Sequence, residues 1–172
     1  MTAKRSSMTS ATSSIKEIGK YTESALKSLV AASLMTQSEE FAILQKKSSS
    51  FGSYFDDFCT INLKTSRRSG HTTSMIWVAQ EMFSDPLFVG VNKSIASNIV
   101  DSLVRVCEMS KRDARDMVFK ISDFDRRGRG RKYDAVFVDC ASLLNEKDRE
   151  IVFDFAKCYA ARLERFCLVL LG

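Results

Sequence analysis

The chain has 172 residues, 45% of them hydrophobic and 27% charged, and carries a net charge of +5. That length fits one domain with a small appendage and suffices for a substantial core, while the composition excludes wholesale disorder and a membrane class. No stretch approaches the roughly 18 to 20 uninterrupted apolar residues of a membrane span, and the Ser/Thr-rich start lacks the apolar centre of a secretory signal.

Residues 1–14, MTAKRSSMTSATSS, are small and polar and are expected to form a flexible N-terminal arm. Ile15, Ile18, Ala25, Leu26, Leu29, Val30 and Leu34 then recur near helical spacing, and Phe41, Ala42 and Leu44 make a second short apolar stretch. Residues 15–50 therefore read as a helical hairpin closed by the linker KKSSSFGS.

Across residues 51–172 short β-type runs alternate with helical ones. FCTINLK, PLFVGVN, MVFKIS, YDAVFVD and CLVLLG read as strands. HTTSMIWVAQEMF, SIASNIVDSLVRVCEM with a Ser94 cap, and EKDREIVFDFAKCYAARLERF read as helices. Apolar strands separated by helices indicate βαβ units, so the expected fold is α/β, a mostly parallel sheet flanked by helices. Right-handed crossovers bring the strand C-termini to one edge, where open α/β sheets bind ligands.

Two loops meet at that edge. In the first, FCTINLK runs through TSRRSG into a helix starting near His71 and Thr72, which aims free amides and a helix dipole at any anion. Against the phosphate-binding pattern GxxxxGK[ST], the window keeps Gly70 and Thr72 but has Thr65 for the first glycine and His71, the only histidine, for the lysine. The same Gly-His-Thr-Thr stretch also serves as a plain helix cap. In the second loop, Asp139 closes the apolar strand YDAVFVD, where a carboxylate can hold magnesium or its waters.

The remaining candidates are weaker. Arg126, Arg127, Arg129, Arg131 and Lys132, spaced by Gly128 and Gly130, read either as a phosphate-neutralising nucleic-acid contact or as a solvated connector. The five cysteines are scattered and read as buried thiols of a reducing compartment, and their scatter argues against a zinc site. Asp56–Asp57 and Asp123–Asp125 read as loop solvation, and Trp77 with the Met/Phe stripe of its helix as core. No GxSxG elbow supports a nucleophilic Ser or Cys using His71 as base.

With these residues in view, residues 57–172 resemble the P-loop NTPases, in particular the ATPase domains of phage terminase large subunits and related helicases. The resemblance is carried by SRRSGHTT as a Walker A with arginine ahead of the glycine and by VGVNKSIASNIVDSL with its asparagine at the strand–helix junction. The Walker B run RRGRGRKYDAVFVDCASLL follows a basic Arg-Gly loop, and CLVLLG stands in place of the strand that supplies a coupling or sensor residue. It implies a site for ATP built from Arg67, Arg68, Ser69, Gly70, His71, Thr72 and Thr73, with Mg2+ held by Thr72 and Asp139.

Two departures bear on the chemistry. His71 replaces the lysine that neutralises the β- and γ-phosphates, and Cys140 stands where the family has the glutamate that activates water. Charge neutralisation at positioned phosphates supplies most of phosphoryl-transfer catalysis, so hydrolysis is expected to be slow or absent. The expectation is a degenerate, ATPase-like nucleotide-binding protein of phage or mobile-element DNA metabolism. It would be cytoplasmic (host cytoplasm if phage-encoded), with nucleotide, DNA, a motor protein or its own copies as partners. The alternative is a catalytically inactive pseudo-ATPase used as a structural or protein-interaction module.

Overall fold

The computed structural model of the protein describes residues 6–47, 51–64, 70–124, 132–160 and 165–172. Five strands form one sheet: β1 (Thr60–Leu63), β2 (Pro86–Gly90), β3 (Val118–Lys120), β4 (Ala135–Asp139) and β5 (Cys167–Leu171). Their spatial order is β1-β5-β4-β2-β3 and every neighbouring pair is parallel. The helices are α1 (Ser6–Lys47), α2 (Phe51–Tyr54), α3 (His71–Met82), α4 (Lys93–Val106), α5 (Lys111–Asp116) and α6 (Glu146–Ala160).

The expected α/β architecture is present, and the strand sequences explain it. The three interior strands β2, β4 and β5 are buried along their whole length, which suits a parallel sheet covered on both faces. Alternate side chains feed two cores. Phe88, Phe137 and Val169 pack with Leu26 and Val30 of α1, Met75 and Ile76 of α3, and Ile99 and Leu103 of α4. Leu87, Val89, Val136, Val138, Leu168 and Leu170 pack on the opposite face with Val152 and Ala156 of α6 and with Phe55 from the π-helical turn Phe55–Cys59. The shorter strands β1 and β3 are the sheet edges.

The N-terminal region differs from the expected arm and hairpin. It is one continuous helix of 42 residues from Ser6, about 63 Å long at 1.5 Å per residue. No glycine or proline follows Gly19 before Lys47, so nothing in the chain breaks the helix. Gln37 is a polar residue inside the apolar stripe. It is fully buried, donating from Nε2 to the carbonyls of Phe58 (3.0 Å) and Phe166 (2.8 Å) and accepting the Phe166 N–H at Oε1 (2.9 Å). These bonds tie α1 to the ends of the π-turn and β5. With Leu26 and Val30 also fully buried, α1 is part of the body of the fold.

Smaller differences have local causes. The cap of α4 is Asn92, whose Oδ1 accepts the Ile95 N–H at 3.0 Å, so Ser94 lies inside the helix. The six-residue α5, capped by Ser110, is too short to show a periodic pattern. Trp77 is 47% exposed rather than core, although Met75, two residues before it, is fully buried. Of the cysteines, Cys59 and Cys167 are buried, while Cys107 and Cys140 are partly accessible and Cys158 is exposed.

Candidate functional site

The site forms where the chain leaves β1 and β4 at their C-terminal ends. Gly70, immediately before α3, takes the left-handed conformation (φ 71°, ψ 17°) that glycine adopts without strain. The α3 hydrogen-bond ladder begins with the Ser74 N–H donating to the Gly70 carbonyl at 3.0 Å. The amides of His71, Thr72 and Thr73 stand ahead of it, at the positive end of the helix dipole. The Ser74 hydroxyl donates to the Gly19 carbonyl of α1 at 2.9 Å, fixing the first turn of α3 against the N-terminal helix. A side chain at Gly70 would touch the Gly19 Cα at 3.5 Å.

β4 delivers Asp139, which is 2% exposed. Its Oδ2 accepts a hydrogen bond from the Thr72 hydroxyl at 2.7 Å, and its Oδ1 lies 2.9 Å from His71 Nε2. The His71 contact is close and electrostatically favourable but lies off the hydrogen-bonding direction, so among the described residues no donor satisfies the buried Oδ1. Cys140 follows in the left-handed region (φ 57°, ψ 41°), which costs a non-glycine residue about 1–2 kcal/mol. That turn brings its Sγ to 4.0 Å from the same His71 nitrogen.

The ionisation states follow from this packing. Contact with the Asp139 carboxylate, against the effect of burial, holds the His71 imidazole above its ordinary 6.5. Burial pushes the Asp139 carboxyl up, but the His71 ring and the Thr72 hydroxyl together carry it below its ordinary 3.8. At neutral pH Asp139 is a carboxylate. Elsewhere, burial pushes the thiols of Cys59 and Cys167 up to about 12 and about 11, so they stay protonated and unreactive.

The structure therefore brings together Gly70, His71, Thr72 and Asp139, with Thr73 half-buried in the same first turn. Arg67, Arg68 and Ser69 of the phosphate-loop assignment, and Arg126, Arg127, Arg129 and Arg131 of the basic connector, lie outside the described residues. Lys132 is exposed just ahead of β4, at the strand end opposite Asp139. Cysteine scatter along the chain argues against a shared metal, yet folding places His71, Asp139 and Cys140 donors within 4.8 Å of one another. A Cys-His-Asp catalytic relay does not fit, because thiol and carboxylate approach the same ring nitrogen instead of opposite ones.

Comparison with protein-family models, with curated proteins and with solved structures yields no match.

Proposed function

We propose that the chain is an ATPase-like nucleotide-binding protein of P-loop type with slow or absent hydrolysis, working in phage or mobile-element DNA metabolism. The observation that carries this reading is the 2.7 Å hydrogen bond from Thr72 to Asp139, which joins the turn before α3 to the end of β4. A hydroxyl and a carboxylate in contact beside a helix N-terminus are what a magnesium–polyphosphate needs. The buried Oδ1 of Asp139, short of a donor, fits the same role. Thr72 and Asp139 would hold Mg2+, which when bound neutralises phosphate charge, and the amides of His71, Thr72 and Thr73 would receive the phosphates. His71 in place of lysine and Cys140 in place of glutamate leave the cradle without its usual catalytic groups.

The test is thermal unfolding with and without magnesium nucleotide, comparing ATP with GTP. Ligand at 100 times its dissociation constant adds about 2.7 kcal/mol. No shift at millimolar Mg-ATP or Mg-GTP counts against the reading.

One observation favours the inactive interaction module as a second reading. The outer face of α1 presents Tyr21 (76% exposed) and Met35 (73% exposed), with Ile18 and Leu29 also exposed. Exposed apolar groups along a long helix suit association through that helix. Sedimentation of the wild type against a Tyr21→Ser, Met35→Ser double variant tests it, since an unchanged monomeric mass in both removes the support.

A further inference from the structure

We propose that His71, Asp139 and Cys140 form a binding site for a zinc-class transition-metal ion, with three protein ligands and one open coordination position. The inference stands on these three side chains and does not depend on nucleotide binding.

The first argument is convergence. Among the described residues this is the one group of three His, Cys, Asp or Glu donors close enough to share an ion, and all its donor atoms lie within 4.8 Å of each other. The carboxylate and the thiol both approach His71 Nε2, at 2.9 and 4.0 Å. Tetrahedral zinc, with bonds of about 2.0–2.1 Å to nitrogen, 2.0–2.2 Å to oxygen and 2.3 Å to sulfur, sets N···O near 3.4 Å and N···S near 3.6 Å. Shifts of about half an ångström bring these two spacings to those values, and the third edge, from the Asp139 carboxylate to Cys140 Sγ, closes from within 4.8 Å toward about 3.6 Å as the Cys140 side chain swings in.

The second argument is the state of the donors. Asp139 Oδ1 is buried and, among the described residues, has the 2.9 Å charge contact with His71 but no hydrogen bond, so a cation that takes over the His71 nitrogen also coordinates this oxygen. Thr72 occupies the other oxygen and so orients the carboxylate from behind, as outer partners do in metal sites. Cys140 adopts a left-handed backbone conformation, and its thiol lies 4.0 Å from the same His71 nitrogen.

The third argument is ligand chemistry. Imidazole nitrogen and thiolate suit Zn2+ and Co2+, whereas Mg2+ prefers six oxygens. His71 and Cys140, two of the positions that depart from the P-loop pattern, supply these softer donors. Binding converts the thiol to a thiolate and takes the unprotonated Nε2 of His71, the thiol proton and any proton on Nε2 leaving to solvent.

The experiment is titration of the full reduced chain with Co2+, followed by absorption. The proposal expects one equivalent to give ligand-field bands of tetrahedral intensity with a thiolate-to-cobalt charge-transfer band. Zn2+ should displace the cobalt and millimolar Mg2+ should not. Cys140→Ser should abolish the charge-transfer band, His71→Ala should weaken binding at least about tenfold, and Cys158→Ser, at an exposed thiol, should change nothing. Absence of the band in wild type, or its survival in Cys140→Ser, overturns the site. Should a variant fail to fold, X-ray absorption at the zinc edge of the wild type decides. One sulfur in the first shell supports the proposal, and a shell of nitrogen and oxygen only overturns it. A Mg-ATP stabilisation that persists in Cys140→Ser separates the fate of this site from that of the nucleotide reading.

Discussion

Thr72 and Asp139 are joined by a 2.7 Å hydrogen bond although the strands that lead to them, β1 and β4, are separated by β5. The contact exists because α3 leaves the edge strand and packs back across the sheet, where Met75, Ile76 and Ala79 share a core with Phe137 and Val169. Apolar packing of one helix thus sets the position of a polar pair. Thr72→Val keeps the shape but removes the donor, leaving Asp139 Oδ2 buried without its partner. The expected loss is about 1–3 kcal/mol in urea unfolding, together with any stabilisation by Mg-ATP. A variant as stable as wild type that still responds to Mg-ATP contradicts this role.

Stability should depend on pH through the same site. The imidazole of His71 is held above 6.5 in the folded state, so its contribution is complete below 6.5 and is lost as pH rises through the folded value. The carboxyl of Asp139 is held below 3.8, so its contribution is present above 3.8 and is lost as pH falls through the folded value. In chelator-treated, metal-free buffer the pair therefore stabilises most between these limits. Comparing urea midpoints from pH 4 to 9, His71→Gln should flatten the decline on the alkaline side. Parallel curves for the two proteins would contradict the pairing.

Much of this arrangement is legible in the sequence because it depends on local pattern. Continuous apolar runs such as AVFVD and CLVLL announce strands buried on both faces, and intervening helical periods announce a parallel sheet. That order leads to the expectation that Gly70–Thr72 and Asp139 lie at the same sheet edge. What stays hidden depends on partners distant in the chain. Nothing in the local pattern around Gln37 announces that folding brings the carbonyls of Phe58 and Phe166 to it. Cys140 reads as one of several scattered thiols until a left-handed turn aims it at His71. Such long-range, single-residue contacts leave no periodic trace.

Gln37 makes the clearest test of how α1 belongs to the fold. Gln37→Leu preserves volume and apolar packing but removes the Gln37 bonds to the Phe166 N–H and carbonyl, while the Phe58 carbonyl keeps the Ser33 hydroxyl. Each buried group deprived of its partner costs about 1–3 kcal/mol, so the urea midpoint should fall markedly. Thr36→Ala, on the exposed face next to it, should stay within about 0.5 kcal/mol of wild type. Equal effects from the two would mean that α1 is an independent appendage.

The basic connector is testable through salt. If Arg129 and Arg131 neutralise nucleic-acid phosphates, replacing both with alanine lowers the slope of log K against log salt by about 0.9 for every duplex phosphate that is no longer neutralised. Fluorescence anisotropy with a labelled duplex across a salt series measures the slope. An identical slope in the double variant removes these residues from any DNA interface.

His71→Lys separates the two chemistries at the sheet edge. A lysine there restores a compact, permanently charged ammonium beside the first turn of α3, which suits phosphate oxygens better than an imidazole whose charge depends on pH. It also removes the nitrogen on which the Asp139 and Cys140 side chains converge. The variant should bind Mg-ATP more tightly and turn it over faster than wild type, as read by thermal shift and phosphate release, while losing the cobalt charge-transfer band. Unchanged nucleotide behaviour would mean that position 71 does not face phosphates, and a retained cobalt band would mean that the metal is held elsewhere.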